Sequence, residues 1–194
     1  MANNPRRLQL MDDICYEKVI GSAGKHQVLI YVHTKQDTTD TACVIRDAAV
    51  ANDTIRMFLK DETSREILRE HTELVRNSVL KDLLPYGLAI HNGGMTRDDR
   101  ESVELLFAKR HIQVLVSTST LACGVNLPVH TVIIKGTQVF SPEKRALTEV
   151  NPLVVTQMLG CAGRLQYGEG IIITEHNKLE DYLSLIKSIA SNRN

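Results

Sequence analysis

Five short, nearly unbroken apolar runs punctuate the chain. They are Val28-Leu29-Ile30-Tyr31-Val32, Leu88-Ala89-Ile90-His91, Ile112 to Val116, Val132-Ile133-Ile134 and Gly170 to Thr174. Runs without polar alternation read as strands buried on both faces, the pattern of parallel sheets. Helical spacing fills the intervals. Leu8, Met11, Cys15, Val19 and Ile20 predict a first helix after a frayed start, ended by Gly21 to Gly24. A polar turn, Thr34 to Thr39, leads into a helix through Ala51. Residues 52–84 read as a charged, amphipathic helical stretch with Leu68, Val75, Val79 and Leu83 toward one side, stopped by Pro85. Gly93-Gly94 makes a tight turn, and Thr96 is a candidate N-cap for a helix that turns Val103, Leu106 and Phe107 inward. Two more helices are expected, from Pro152 to Leu159 and from Leu179 to Ala190.

Strand and helix alternate throughout, so the predicted fold is an α/β sandwich with a mainly parallel central sheet. The expected organisation is a helical lead-in over residues 1–24 and one domain over 25–190, with a helical insertion at about 52–84. In such sheets ligands sit beyond the carboxyl ends of the strands. That rule directs attention to Thr34-Lys35, His91 to Arg97, Ser117 to Asn126 and Lys135 to Gln138.

Composition narrows the picture. Of 194 residues, 43% are hydrophobic, enough for a core. Lys plus Arg is 23 and Asp plus Glu is 23, so any nucleic-acid contact must be local rather than a general basic coat. No apolar run reaches the roughly 18 residues that span a bilayer, and the polar start, Met1 to Arg7, has no signal-peptide core. The expectation is a soluble intracellular protein with no membrane partner. Cys15, Cys43, Cys123 and Cys161 form no CxxC pair, and the histidines show no HExxH spacing, so no metal site is expected.

Gly21-Ser22-Ala23-Gly24-Lys25 resembles a phosphate loop only briefly. Its spacing is wrong, no Ser or Thr follows Lys25, and it precedes a strand instead of following one. The chain therefore lacks the usual means of binding a nucleoside triphosphate by itself. Two other segments stand out. Ser117 to Pro128 places a hydroxyl-rich run and Gly124 directly after a buried strand, offering donors to phosphate oxygens. Gln157 to Arg164 places small residues and one arginine after a helix, which suits an arginine finger. Taken singly, a strand-end turn and a surface arginine explain these segments equally well.

Together, in this order and spacing, the segments resemble the second RecA-like domain of superfamily 2 helicases, specifically the Ski2-like spliceosomal RNA helicases. The likeness runs from about Arg7 to Leu185 and is most specific over Lys81 to Met95, Ile112 to Lys144 and Gln157 to Arg164. It implies a RecA-like sandwich, a P-loop NTPase fold without its own P-loop. It also implies RNA contacts at Thr34, Lys35, His91, Gly94, Arg97, Thr118 and Thr120, and a nucleotide side formed by Gly124, Asn126, Gly160, Gly163 and Arg164, with Gln157 and Arg164 catalytic. ATP and Mg would bind only together with a first RecA domain, which these residues do not contain; none is expected for the isolated chain. Implied partners are single-stranded or duplex RNA (small nuclear RNA), a first RecA domain and spliceosomal proteins, in the nucleus.

The departures from the family pattern are specific. Cys161 stands where the sixth motif, QMLGRAGR, has its first arginine, and Leu165 replaces a proline. Cys123 and Leu147 occupy family tryptophan positions, Asn92-Gly93 replace His-Ala, Val154 replaces Asp, and the loop Tyr167 to Gly170 is short. The expected function is the second motor domain of an RNA helicase, incomplete and inactive alone; the alternative is a non-catalytic RNA- or protein-binding module.

Overall fold

The computed structural model describes residues 4–121, 127–162 and 167–191. Strands β1 (Val28–Tyr31), β2 (Leu88–His91), β3 (Val114–Ser117), β4 (Thr131–Lys135) and β7 (Glu169–Ile173) form one all-parallel sheet in the order β2-β3-β1-β4-β7. Every residue of β1, β2 and β3 is buried, so both faces of the sheet are covered there. The edge strand β7 is exposed to half-buried. This is the three-layer α/β sandwich that the apolar runs predict.

Helices α1 (Pro5–Ser22), α2 (Lys35–Ala51), α3 (Glu62–Leu74), α4 (Ser78–Leu83), α5 (Arg97–Ala108), α6 (Pro152–Gly160) and α7 (Leu179–Ser191) fill the connections. The predicted inward face of α5 is correct: Val103, Leu106 and Phe107 are all buried. Thr96 caps α5 as expected, its hydroxyl accepting from the Asp99 N–H.

Two expectations are corrected, and one element was not anticipated. The polar segment Thr34 to Thr39 is not a turn before a helix but the start of α2 itself, because the Thr34 hydroxyl accepts from the Asp37 N–H at 3.0 Å and caps it. The stretch 52–84 is not one continuous helix. It breaks into a 3-10 turn (Ile55–Phe58), α3, α4 and a second 3-10 turn (Leu84–Tyr86) that carries Pro85. The break between α3 and α4 has a long-range cause. The buried Asp99 carboxylate accepts from the backbone N–H groups of Arg76 and Asn77 at 2.9 and 3.0 Å, so those donors are met outside a helix. Finally, β5 (Gln138–Ser141) and β6 (Ala146–Glu149) form an antiparallel hairpin that the apolar pattern does not announce. Its turn places Arg145 at φ 48°.

Helix α1 is bound into the same core, with Cys15 and Val19 fully buried. Lys135, at the end of β4, pairs with Asp12 of α1 and donates to the Thr41 hydroxyl of α2 at 2.8 Å. Arg7 pairs with Glu175 beyond β7. Burial pushes the Cys15 thiol up to about 12 against the opposing charge of Lys135, which leaves it inert.

Two consequences are measurable. Because Lys135 and Asp12 are largely buried, Lys135→Met alone should cost roughly 3 kcal/mol by stranding a carboxylate, whereas Lys135→Met with Asp12→Leu should cost clearly less than the sum of the singles. A denaturant double-mutant cycle reads this out. The second concerns His91, which is buried with its Nε2 at 2.8 Å from Glu104. Burial holds its pKa below the ordinary 6.5, with Glu104 opposing. The unfolded chain therefore binds the extra proton first, and stability falls as pH drops below about 6.5. His26 and His111 are lowered in the same direction. Melting temperatures recorded across this range should fall less steeply for His91→Gln than for the parent chain.

Candidate nucleic-acid interface

Parallel pairing brings every strand's carboxyl end to one edge of the sheet. Tyr31, His91 and Ser117 are direct register partners there, so the loops after β2, β3 and β1 lie side by side in that order. The loop after β3 is central. Its Thr118 N–H donates to the His91 carbonyl at 3.2 Å, and the Thr118 and Thr120 hydroxyls are 3.1 Å apart. Within that pair one hydroxyl donates to the other, and one hydrogen remains to be offered outward.

Lys35 opens α2 and lies over Gly94. A Cβ at Gly94 would stand 3.1 Å from Lys35 Cδ and 3.4 Å from its Nζ, so a side chain there would crowd the ammonium. Lys35 makes no ion pair among the described residues. Asn92 organises this corner. Its side-chain oxygen accepts from the Gly94 N–H at 2.9 Å, and its amide donates to the Thr38 hydroxyl at 2.9 Å. Thr38 in turn donates to the Lys35 carbonyl at 2.6 Å. One buried side chain thus ties the β2 loop to the first turn of α2. Both α2 and α5 begin at this edge, so their amino-terminal N–H groups add positive potential to it.

The predicted RNA residues separate into two groups. Thr34, Lys35, Gly94, Arg97 and Thr120 are exposed, and Thr118 is half-buried beside them. Arg97 is paired with Glu101 at 2.6 Å, which raises its pKa; the pair is exposed. His91 differs. Its side chain turns inward to Glu104 on α5, so it sits outside the exposed set.

On the neighbouring side, Gln157 is exposed on α6, and Gly160 is half-buried at its end with open space where a Cβ would stand. Cys161 follows, buried, its sulfur 3.2 Å from the Tyr31 hydroxyl at the end of β1. That position carries a thiol packed against a phenol. Gly124, Asn126, Gly163 and Arg164 lie outside the described residues. Sequence reasoning overlooked Asn92 and Tyr31 as organisers. An amide directly after a buried strand and before two glycines was the available signal for Asn92; nothing local marked Tyr31. Among the described residues no group of three or more His, Cys, Asp or Glu is placed to hold a metal, and no helix is long and apolar enough to cross a membrane.

Comparison with known proteins agrees with this geometry. The helicase conserved C-terminal domain family matches residues 62–166. The DExH-box ATP-dependent RNA helicase DExH12 of Arabidopsis thaliana is 61% identical over 93% of this chain, which corresponds to 8% of that protein. The U5 small nuclear ribonucleoprotein 200 kDa helicase of Homo sapiens is 58% identical over 93% of this chain and 9% of its own length. The pre-mRNA-splicing factor brr2 of Schizosaccharomyces pombe is 58% identical over 93% of this chain and 8% of its own length. The chain thus spans less than a tenth of these relatives. With a five-stranded parallel sheet, phosphate-suited loops along one edge and this match across more than half its length, the chain belongs to the helicase C-terminal domain family.

Proposed function

We propose that the chain is the second motor domain of an ATP-dependent RNA helicase of the spliceosomal type, working on RNA in the nucleus. The supporting observation is the convergence of Thr34, Lys35, Gly94, Thr118 and Thr120 on the edge where three parallel strands end. These groups suit a phosphate backbone. They offer an ammonium with no ion pair among the described residues, hydroxyl donors and a glycine that lets the backbone approach closely. Ammonium, hydroxyl and backbone groups of this kind suit a sequence-independent contact with the phosphate backbone.

The residues at hand do not make an ATP site on their own. The sequence has no phosphate loop. At position 161, where the family pattern has an arginine, a buried thiol meets the Tyr31 hydroxyl, and cysteine cannot replace a guanidinium. The chain's share of a nucleotide site is Gly124, Asn126, Gly160, Gly163, Gln157 and Arg164, with a first RecA domain supplying the phosphate loop and the Mg carboxylates. The packing of Cys161 favours a second reading, a module that keeps the fold and the RNA edge without motor activity.

Two experiments separate these readings. Purified alone, the chain should hydrolyse no ATP with or without RNA. Joined to a first RecA domain it should show slow turnover, and Arg164→Ala should lower that turnover by roughly 10³-fold or more. A fused protein with no turnover even after Cys161→Arg leaves the non-catalytic module standing. RNA binding is tested by titrating labelled single-stranded RNA at several salt concentrations. Lys35→Ala should weaken binding uniformly across sequences and reduce the salt slope by about 1. An unchanged slope removes Lys35 from the interface.

A further inference from the structure

At the amino end of β2, away from the RNA-facing loops, the chain folds a second concave surface. The 3-10 turn Ile55–Phe58, helix α3 and the turn Leu84–Tyr86 enclose a cleft of about 290 Å³. Arg56, Arg65 and Arg69 line it, from two different elements. Ile55, Leu59, Pro85 and Tyr86 supply its apolar and aromatic walls. Among the described residues no carboxylate lines the cleft. Arg65 reaches Glu62 at 3.6 Å, an exposed pair of little strength. Among the described residues neither Arg56 nor Arg69 forms an ion pair, and Arg46 close by is already paired with Asp47. Two of the three guanidinium groups at the cleft, those of Arg56 and Arg69, thus have no ion-pair partner among the described residues.

The walls are held in place. Phe58 is fully buried, and Gly87, at φ 78°, brings the start of β2 against the Phe58 carbonyl so closely that any Cβ would collide with it. Leu68 anchors α3 beneath the arginines. The cleft is therefore a preformed recess, and its size suits one or two side chains instead of a folded ligand.

We propose that this cleft binds a short acidic segment of a partner protein, with an apolar side chain seated among Ile55, Leu59, Pro85 and Tyr86 and flanking carboxylates held by Arg56, Arg65 and Arg69. Guanidinium forks match carboxylates in a bidentate geometry, and arginine beside tyrosine is a frequent composition of interface anchors. Charge distribution selects a short peptide over RNA. Glu62, Glu66, Glu70 and Glu73 are all exposed along α3, so an extended polyanion tracking the helix would meet like charge. A short motif needs only the cleft. The apolar walls also answer a peptide side chain and leave a phosphodiester backbone unmatched.

The test uses the full 194-residue chain and a short fluorescein-labelled peptide of Asp and Glu interrupted by Leu and Phe, followed by fluorescence anisotropy. Saturable binding is expected, weakened roughly tenfold or more by R56E/R69E. Lys187→Glu, exposed on α7, serves as a charge control and should change affinity less than about twofold. Thermal melts check that the variants fold; R56Q/R69Q removes the same charges without reversal, should a reversed variant unfold. An unlabelled oligouridine of equal length should fail to displace the peptide. Equal affinity of folded R56Q/R69Q, no peptide binding up to about 1 mM, or binding of oligouridine that depends on these arginines in place of peptide each overturns the proposal.

Discussion

The position of β1 at the centre of an all-parallel sheet is the constraint on which the rest of the molecule depends. A parallel strand has neighbours running the same way, so each must return to the starting edge before the next can join. Helices do that work, and every loop that leaves a strand emerges at one edge. β3 and β4 satisfy both edges of β1, and the burial of Val28, Leu29, Ile30 and Tyr31, whose side chains alternate between faces, shows that both faces are covered as well. The same arrangement aligns Tyr31, His91 and Ser117 at one level. The exposed hydroxyls and Lys35 are therefore neighbours as a result of sheet topology, before any side-chain contact is considered.

Two carboxylates fix how the returning helices sit. Asp12 meets Lys135, so α1 is tied to the end of β4 and, through Thr41, to α2. Asp99, in the first turn of α5, meets the backbone between α3 and α4, which ties that junction to α5. Asp99 is a buried acid satisfied by two backbone donors, the condition under which such a group specifies an arrangement instead of merely weakening it, and Asp12 is a largely buried acid met by the Lys135 ammonium. The arginine-lined cleft depends on the second of these joints, since α3 forms one of its walls.

What was legible in the sequence follows from the same physics. Strands buried on both faces write themselves as apolar runs, so β1 and β2 stand close to the boundaries read from the residues. The Thr96 cap was readable because its partner, Asp99, is only three positions away. The hairpin β5–β6 was not readable. It pairs outside the main sheet, its residues are half-buried to exposed, and Phe140 opposite Leu147 supplies only one large apolar pair. The break in 52–84 was hidden for a different reason: its cause, Asp99, lies more than twenty positions away. Site order was legible through the motifs, while orientation was not. Whether His91 faces outward or inward depends on Glu104 from α5, and no local pattern encodes that.

Cys161 shows how far the scaffold and the motor chemistry can come apart. A guanidinium held at a position this buried requires an anion, and the phosphate of a nucleotide could supply it. A thiol requires none. With its sulfur against the Tyr31 hydroxyl, position 161 is satisfied by the chain itself, at the end of the central strand. Position 161 thus carries no guanidinium at the point where the family pattern asks for one. The corner around Lys35 and Gly94 rests on Asn92 and Thr38, whereas Cys161 meets the same sheet edge through Tyr31 at the end of β1. Asn92 and Thr38 on one side of that edge, and Tyr31 with Cys161 on the other, are thus two distinct sets of buried contacts joined through the parallel strand ends.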